Sequence, residues 1–353
     1  MRLHFFKRNA APKAKKSKTR EWLDAIVFAV VASTIIRSLL FSAYAIPSGS
    51  MEGTQLVGDY LFVSKCSYGA RMPFTPLSVP FTEPKALGIK TYWDILQLPY
   101  LRLPGFTEVK KGDIVVFNKP EEADLGIPVD QRTALIKRCQ AIAGDTLSII
   151  NGQVYINHKA AWNAPNAQTS YTVVTDGRDL NPQVLDDQHI EVLASTASNT
   201  YEMIIPPDQL SIFKGYSNIK QVVPIIAPAG QYNPEVFPHN RRFKWNEDNF
   251  GPLVLPKKGM TIALNDSTLA LYRRAIEVYE HHPIQSNERS YTFKMNYYWM
   301  MGDNRHNSLD SRFWGYVPED HIVGKALITV MSVDSTKDIF HKVRWNRILK
   351  PLD

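Results

Sequence analysis

Cysteine is scarce: two in 353 residues, Cys66 and Cys139, too few for a disulfide framework. No C-x-x-C pair occurs, and the nine histidines show no metal-ligand spacing. His281 and His282 are neighbours, so one helical or strand face cannot present both. Neither a metal nor any other cofactor is expected. An excess of basic charge is also lacking beyond residue 21. Eight basic residues and one acid in positions 1–21 account for the whole formal charge of +7, and the rest of the chain is neutral. A charged tail without a charged face argues against nucleic-acid binding and reads as a topogenic signal. Residues 159–290 contain no repeat and no motif that carries chemistry.

What is present begins with one apolar run. As a helix, residues 22–41 span roughly 30 Å, the thickness of one hydrocarbon core. Trp22 suits the membrane interface, and Arg37 near the far end can snorkel to the headgroups. With the basic tail in front, the positive-inside rule puts the N-terminus in the cytoplasm and the body outside. Ala43-x-Ala45 also fits a secretory cleavage site, so a cleaved signal competes with an uncleaved anchor. Both readings place the body beyond the membrane.

The remainder reads as mainly β. Strands are expected over residues 55–64, 114–117, 134–143, 291–300 and 322–332, with shorter ones at 201–205 and 219–226. A hairpin turns at Asn151-Gly152, the strongest short-range signal in the chain. In the strand from Ala134, alternation puts Leu135, Lys137 and Cys139 on one face and Ile136, Arg138 and Gln140 on the other. One amphipathic helix is expected over 267–280. Two proline-punctuated apolar segments, 72–81 and 95–106, are too short to cross a bilayer. They are either loops packed on the protein or, through Phe74, Leu77, Phe81, Tyr100, Leu103 and Phe106, a surface dipping into lipid. The organisation expected is a tail (1–21), a transmembrane helix (22–44), a β core (45–158 and 291–335) and an inserted subdomain (159–290). A C-terminal segment follows (336–353), whose basic residues 342–350 read as a solvated end.

Pro47-Ser48-Gly49-Ser50-Met51-Glu52 follows the apolar run. It is either a flexible linker or a loop presenting a serine nucleophile. A serine hydroxyl needs a base, and no histidine sits in a motif built to hold it. A lysine serves if burial keeps its amine neutral; lowering its pKa from about 10.4 to about 8 costs roughly 3 kcal/mol. Lys137, on an apolar strand, is the natural candidate, and Lys65 is its rival.

Three groups of residues carry a resemblance. Ser50-Met51 after an anchor, Lys137-Arg138 leading to Ala143-Gly144-Asp145, and the turn from Gly302-Asp303-Asn304-Arg305 through Ser308 to Asp310-Ser311-Arg312 together resemble bacterial type I signal peptidase (leader peptidase). The resemblance covers about 22–66, 112–157 and 291–330. It implies an antiparallel β catalytic core and a Ser/Lys endopeptidase that removes signal peptides from exported preproteins after Ala-x-Ala. It further implies Ser50 as nucleophile, Lys137 as general base, Ser48 as an oxyanion-hole donor and Ser308 as the group orienting the lysine. Ile46 and Ile136 would line the pocket for the residue before the cut, and Arg138, Asp303, Asp310 and Arg312 would form supporting ion pairs. Partners implied are preprotein signal peptides, the lipid bilayer of the cytoplasmic membrane and proximity to the secretion translocon. The chain departs from the family at Gly53 and Ala143, where prolines are usual, and at His306, where an acid is usual. The departures put loop rigidity and pH profile in doubt. A self-cleaving repressor-type protein and a non-catalytic tethered assembly protein are the alternatives. Self-cleavage after Ala45 is a further possibility raised by the Ala43-x-Ala45 match.

Overall fold

The computed structural model describes residues 17–352 except 80, 81, 83, 87 and 339. Most of the basic tail, and Phe81 of the first apolar segment, lie outside the described residues. Helix α1, Lys18–Ile35, starts at Ser17, whose hydroxyl accepts the Arg20 N–H, with Glu21 favourably placed in the first turn. A π-helical turn, Ile36–Leu40, extends it to 23 residues, about 34 Å, with no part of the apolar stretch buried.

The helix ends earlier than the sequence suggested. Residues 41–44, expected within the transmembrane helix, belong instead to strand β1 (Phe41–Ala45), which pairs antiparallel with β2 (Asp59–Ser64). The partner strand offers five residues a hydrogen-bonding edge, and Phe41 stacks on Phe62 at 4.8 Å. That tertiary pairing wins over continued helix. Within the expected 55–64 stretch the Gly58-Asp59 sequence reads as a turn or bulge, and Gly58, at φ +88°, makes that turn, so that β2 begins at Asp59.

The main sheet continues with β3 (Ile114–Asn118), β4 (Ala134–Ala141), β13 (Tyr297–Met301), β14 (Val317–Pro318) and β15 (Ile322–Ser332). Its order is β1-β2-β15-β3-β4-β13-β14, and every pairing is antiparallel. The expected hairpin joins β5 (Thr146–Ile150) to β6 (Gln153–Ile156). Asn151 and Gly152 both have positive φ, as a type I′ turn requires. The fold is mainly antiparallel β.

The stretch 159–290 does not behave as one insertion. Strands β8 (Thr169–Thr175), β9 (Glu191–Ala197), β10 (Thr200–Ile205) and β11 (Ile219–Pro224) form a sheet with its own small core of Val173, Ile190, Met203, Ile205 and Phe213. After a two-residue strand β7 (Lys159–Ala160) on the hairpin, the later segment returns to the core. Strand β12 (Phe250–Val254) pairs with β5. Helix α2 (Asp266–Arg274), starting one residue before the expected 267–280 helix, runs into a π turn, Ala275–Tyr279. Phe237, Leu253, Tyr272 and Ile276 pack with Tyr297, Trp299 and Tyr316 in one apolar cluster. A boundary at 290 thus cuts through a continuous core, and only 169–224 packs as a subdomain.

The C-terminal segment is not a solvated end either. Strand β16 (Lys350–Pro351) pairs with β15, and Arg347 is buried against Asp59, with its NH2 2.5 Å from Oδ2. The same guanidinium donates to the Thr54 carbonyl at 3.0 Å, tying the tail to the loop that follows β1. Burial pushes the Asp59 carboxyl up, but bonds from Arg347 and Ser332 outweigh it and hold the carboxyl below its usual range. Its contribution is present above the unfolded carboxyl pKa, about 4, and is lost as pH falls through the lower folded value. We expect Arg347→Met to lower the unfolding free energy by about 3 kcal/mol near neutral pH, because Asp59 is left buried and unpaired. Thermal unfolding in detergent micelles checks this; an unchanged midpoint would contradict it.

Candidate active site

The loop joining β1 to β2 is closed at its neck: the Ile46 N–H donates to the Asp59 carbonyl at 2.8 Å, and Gly58 N–H to the Ile46 carbonyl at 3.0 Å. Within it Gly49–Met51 form a single 3-10 turn, and Met51, fully buried, anchors the turn in a cluster with Ile46, Leu61, Val63 and Val116. Ser50 stands at the centre of that turn. From the other side, Asn304 N–H donates to the Ser50 carbonyl and Asn304 Nδ2 to the Gly49 carbonyl, each at 3.2 Å. The serine loop is therefore a held turn and not a flexible linker.

Lys137 stands opposite Val115 in the β3–β4 pair, and its Nζ lies 2.6 Å from Ser50 Oγ. The residue is only 4% exposed. Burial lowers its pKa to about 8, against the raising influence of the Asp310 and Asp303 carboxylates and with help from Arg312. Both carboxylates are already claimed. Arg138 grips Asp303 through Nε and NH2 at 2.9 and 2.8 Å, and Arg312 grips Asp310 through Nε and NH2, both at 2.9 Å. All four side chains are essentially inaccessible. Both couples are internally paired, and among the described residues the amine has no counter-ion of its own, so its charged form is disfavoured.

Ser308 is buried nearby but does not bond to Lys137: among the described residues its Oγ has no hydrogen-bond partner. It lies over Gly302, where a Cβ would overlap Ser308 Oγ and come within 2.5 Å of the Ser50 carbonyl oxygen. Ser48 is exposed beside Ser50. Ile46, Ile136, Ser48, Ser50 and Lys137 line one cleft of about 60 Å³, with Tyr44, Ala45 and Val116 completing its walls. A larger open groove of about 900 Å³ near the start of α2, lined by Arg242, Asp266, Glu288 and Arg289, lacks any nucleophile–base pair.

Lys65 is half-buried, with a pKa lowered to about 8 by loss of solvation and by Arg71 and Arg37. Acidity alone does not choose between the two lysines; position does. Lys65 follows the end of β2 that pairs with Phe41, the far end from the serine loop, and its Nζ donates to the Ser38 carbonyl at 3.2 Å. Gly302 and Asn304 stand within the quoted turn but had no role assigned from the sequence, and Thr54 was passed over. Thr54 Oγ1 donates to Asp303 at 2.6 Å and accepts from Arg138 at 3.3 Å, linking the ion pair to the serine loop. Adjacency to the Ser50 motif was the only signal for Thr54.

Two of the three departures, Gly53 and His306, have local causes. Gly53, at φ +90°, lies directly under the Asn166 carbonyl, where neither a proline nor any Cβ fits. His306 Nδ1 accepts the Ser170 N–H at 3.1 Å, so the ring proton is on Nε2 and is donated to Asp248 at 3.0 Å. An acid at 306 would face that carboxylate and be repelled. The Ala45–Ile46 bond is locked by β1 pairing and by Ile46 N–H, so self-cleavage there would require β1 to unpair.

A serine hydroxyl bonded to a buried lysine amine, at the edge of an antiparallel β core, is the apparatus of a serine hydrolase. A model of the family described as signal peptidase, peptidase S26, matches residues 19–213 and 254–331. The chain is similar to proteins named Signal peptidase I. That of Buchnera aphidicola (subsp. Acyrthosiphon pisum) is 28% identical over 343 residues, covering 95% of this chain and 84% of the relative. That of Haemophilus influenzae is 28% identical over 320 residues, covering 90% and 71%. That of Aquifex aeolicus is 24% identical over 317, covering 89% and 84%. The chain belongs to the signal peptidase family, peptidase S26, and is a hydrolytic enzyme of that family. Asp248 lies in the stretch that the family model leaves unmatched, which suits a local reason for His306.

Because Gly302 holds both serines in place, we expect Gly302→Ala to cut peptidase activity about a hundredfold while the protein still folds. Peptide hydrolysis alongside circular dichroism checks this, and wild-type turnover would refute the close-contact account.

Proposed function

We propose that this chain is a membrane-anchored serine endopeptidase that cleaves N-terminal signal peptides from exported preproteins after Ala-x-Ala, with Ser50 as nucleophile and Lys137 as general base. The observation that carries the reading is the 2.6 Å contact between a buried lysine amine and Ser50 Oγ. In its neutral form Lys137 takes the Ser50 proton as Oγ attacks the scissile carbonyl. The oxyanion is met by the Ser50 backbone N–H and the Ser48 hydroxyl, one such donor being worth about 3 kcal/mol. The lysine ammonium then returns its proton to the leaving amine, and water, activated by the same amine, releases the acyl group. Ser308, buried and unbonded, turns about χ1 to orient the amine during this cycle. The small cleft between Ile46 and Ile136 accepts an alanine-sized side chain and rejects larger ones.

Helix α1 anchors the enzyme in the cytoplasmic membrane, with the basic N-terminus in the cytoplasm and the catalytic body on the outer side. There it meets preproteins emerging from the translocon. The apolar segments supply a second lipid contact. Leu77, Leu101 and Leu103 are exposed, and Phe106 is 91% exposed, joined by Trp93 and Ile95. Phe74 and Tyr100, expected in that surface, are half-buried and stack on each other at 6.2 Å.

Ser50→Ala and Lys137→Ala are each expected to abolish preprotein processing while leaving membrane insertion intact. Since the amine must be neutral to accept a proton, kcat/KM should fall about tenfold per unit below pH 8 and level off above it. A flat profile from pH 6 to 8, or normal cutting by Lys137→Ala, would remove Lys137 as the base. Leu101→Asp with Phe106→Asp should weaken vesicle binding of the chain lacking α1 by about tenfold; unchanged binding would refute the lipid-facing role.

A further inference from the structure

The catalytic scheme leaves the half-buried Lys65 unused. The π turn Ile36–Leu40 closes with a bond from the Phe41 N–H to the Ile36 carbonyl, so the carbonyls of residues 37–40 have no partner within the helix. The β core meets each of them. Ser42 Oγ donates to Arg37 O at 2.9 Å, and Lys65 Nζ donates to Ser38 O at 3.2 Å. Cys66 Sγ is shared between Leu39 O and Leu40 O at 3.7 and 3.8 Å, while the Lys65 backbone N–H donates to Leu40 O at 2.9 Å. A helix end that water could have satisfied is instead folded into protein. A lysine at this terminus also complements the helix dipole, and its amine donates a hydrogen bond whether charged or neutral.

The strands that make this clamp also carry the nucleophile. Strand β1 leaves the helix directly and delivers the serine loop at its other end, while β2 runs back from that loop to Lys65. Five paired residues of β-strand make a spacer of about 17 Å.

We propose that Lys65, with Ser42 and Cys66, clamps the anchor helix to the β1–β2 pair, so that a spacer of fixed length sets the height of Ser50 above the membrane and selects which small-residue site of a membrane-inserted preprotein is cut. Lys65 is then a positioning residue, remote from the reacting atoms. The inference rests on the function proposed above.

The test uses full-length enzyme in liposomes and two substrates: a short soluble Ala-x-Ala peptide, and a preprotein carrying two Ala-x-Ala sites a few residues apart. With Lys65→Met we expect peptide turnover within about twofold of wild type, while the ratio of the two preprotein cleavage products, read by mass spectrometry, shifts about tenfold toward equality, as loss of one hydrogen bond to a charged group allows. Lys65→Arg should restore the wild-type ratio, since a guanidinium also reaches the carbonyl. Ser42→Ala, which removes the cap on Arg37, should shift the ratio in the same direction. An unchanged ratio in both Lys65→Met and Ser42→Ala overturns the clamp. Equal loss on peptide and preprotein in Lys65→Met also overturns it, because that points to a role at the reacting site or in folding. If the peptide is cut normally by Ser50→Ala, the function itself fails, independently of the clamp.

Discussion

The site depends on a lysine amine buried without a counter-ion. A cation taken out of water normally acquires a carboxylate or loses its proton. Here the two acids close enough to matter are bound bidentately by arginines, Asp303 by Arg138 and Asp310 by Arg312. The arrangement neutralises the surroundings without neutralising the lysine, and the amine is left to bond Ser50. Each couple has a mechanical use as well. Asp310 accepts the Gly302 N–H, and Asp303 accepts the Thr54 hydroxyl. The charges that surround Lys137 thus also hold the turn that carries Ser50.

That turn is braced from three directions by segments distant in sequence. Met51 is buried in the main-sheet cluster, Asn304 hydrogen-bonds the carbonyls of Gly49 and Ser50, and Arg347 reaches the Thr54 carbonyl from the C-terminal tail. The stretch 159–290 adds a fourth, through the Asn166 carbonyl over Gly53 and the His306 bonds to Ser170 and Asp248. At Gly53 and His306 the neighbouring backbone and a nearby charge favour the residue present. Gly53 and His306 fit their own surroundings and keep the serine loop close-packed.

Much of the buried cluster around Ser50 was legible because its residues lie in short motifs whose chemistry is local. Ser50, Lys137, Ser308 and the four ion-pairing residues all fall in one region, and Ile46 and Ile136 line the cleft beside them. The Asn151-Gly152 turn was readable because only certain residues tolerate φ above zero at two successive positions. Less legible were features decided by partners far away in sequence. Residues 41–45 have an apolar, alternating composition that suits a helix end and an edge strand alike, and the free edge of β2 chose the strand. The tail around Arg347 looked like ordinary surface charge until Asp59, 288 positions away, was seen to receive it.

The amino-acid sequence by itself determined the chemistry on offer: one membrane-length apolar run, a serine just after it, a lysine on an apolar strand and no metal-ligand pattern. These follow from residue type and short spacing. Only the tertiary structure decided which lysine meets Ser50, since Lys65 and Lys137 are both driven to about pKa 8 by burial. Strand register separates them. β2 carries Lys65 to the α1 end of the β1–β2 pair, while β4 brings Lys137 within 2.6 Å of the Ser50 hydroxyl. Burial tunes an amine wherever it occurs, but a proton moves only across a hydrogen bond, and that distance is a property of the fold.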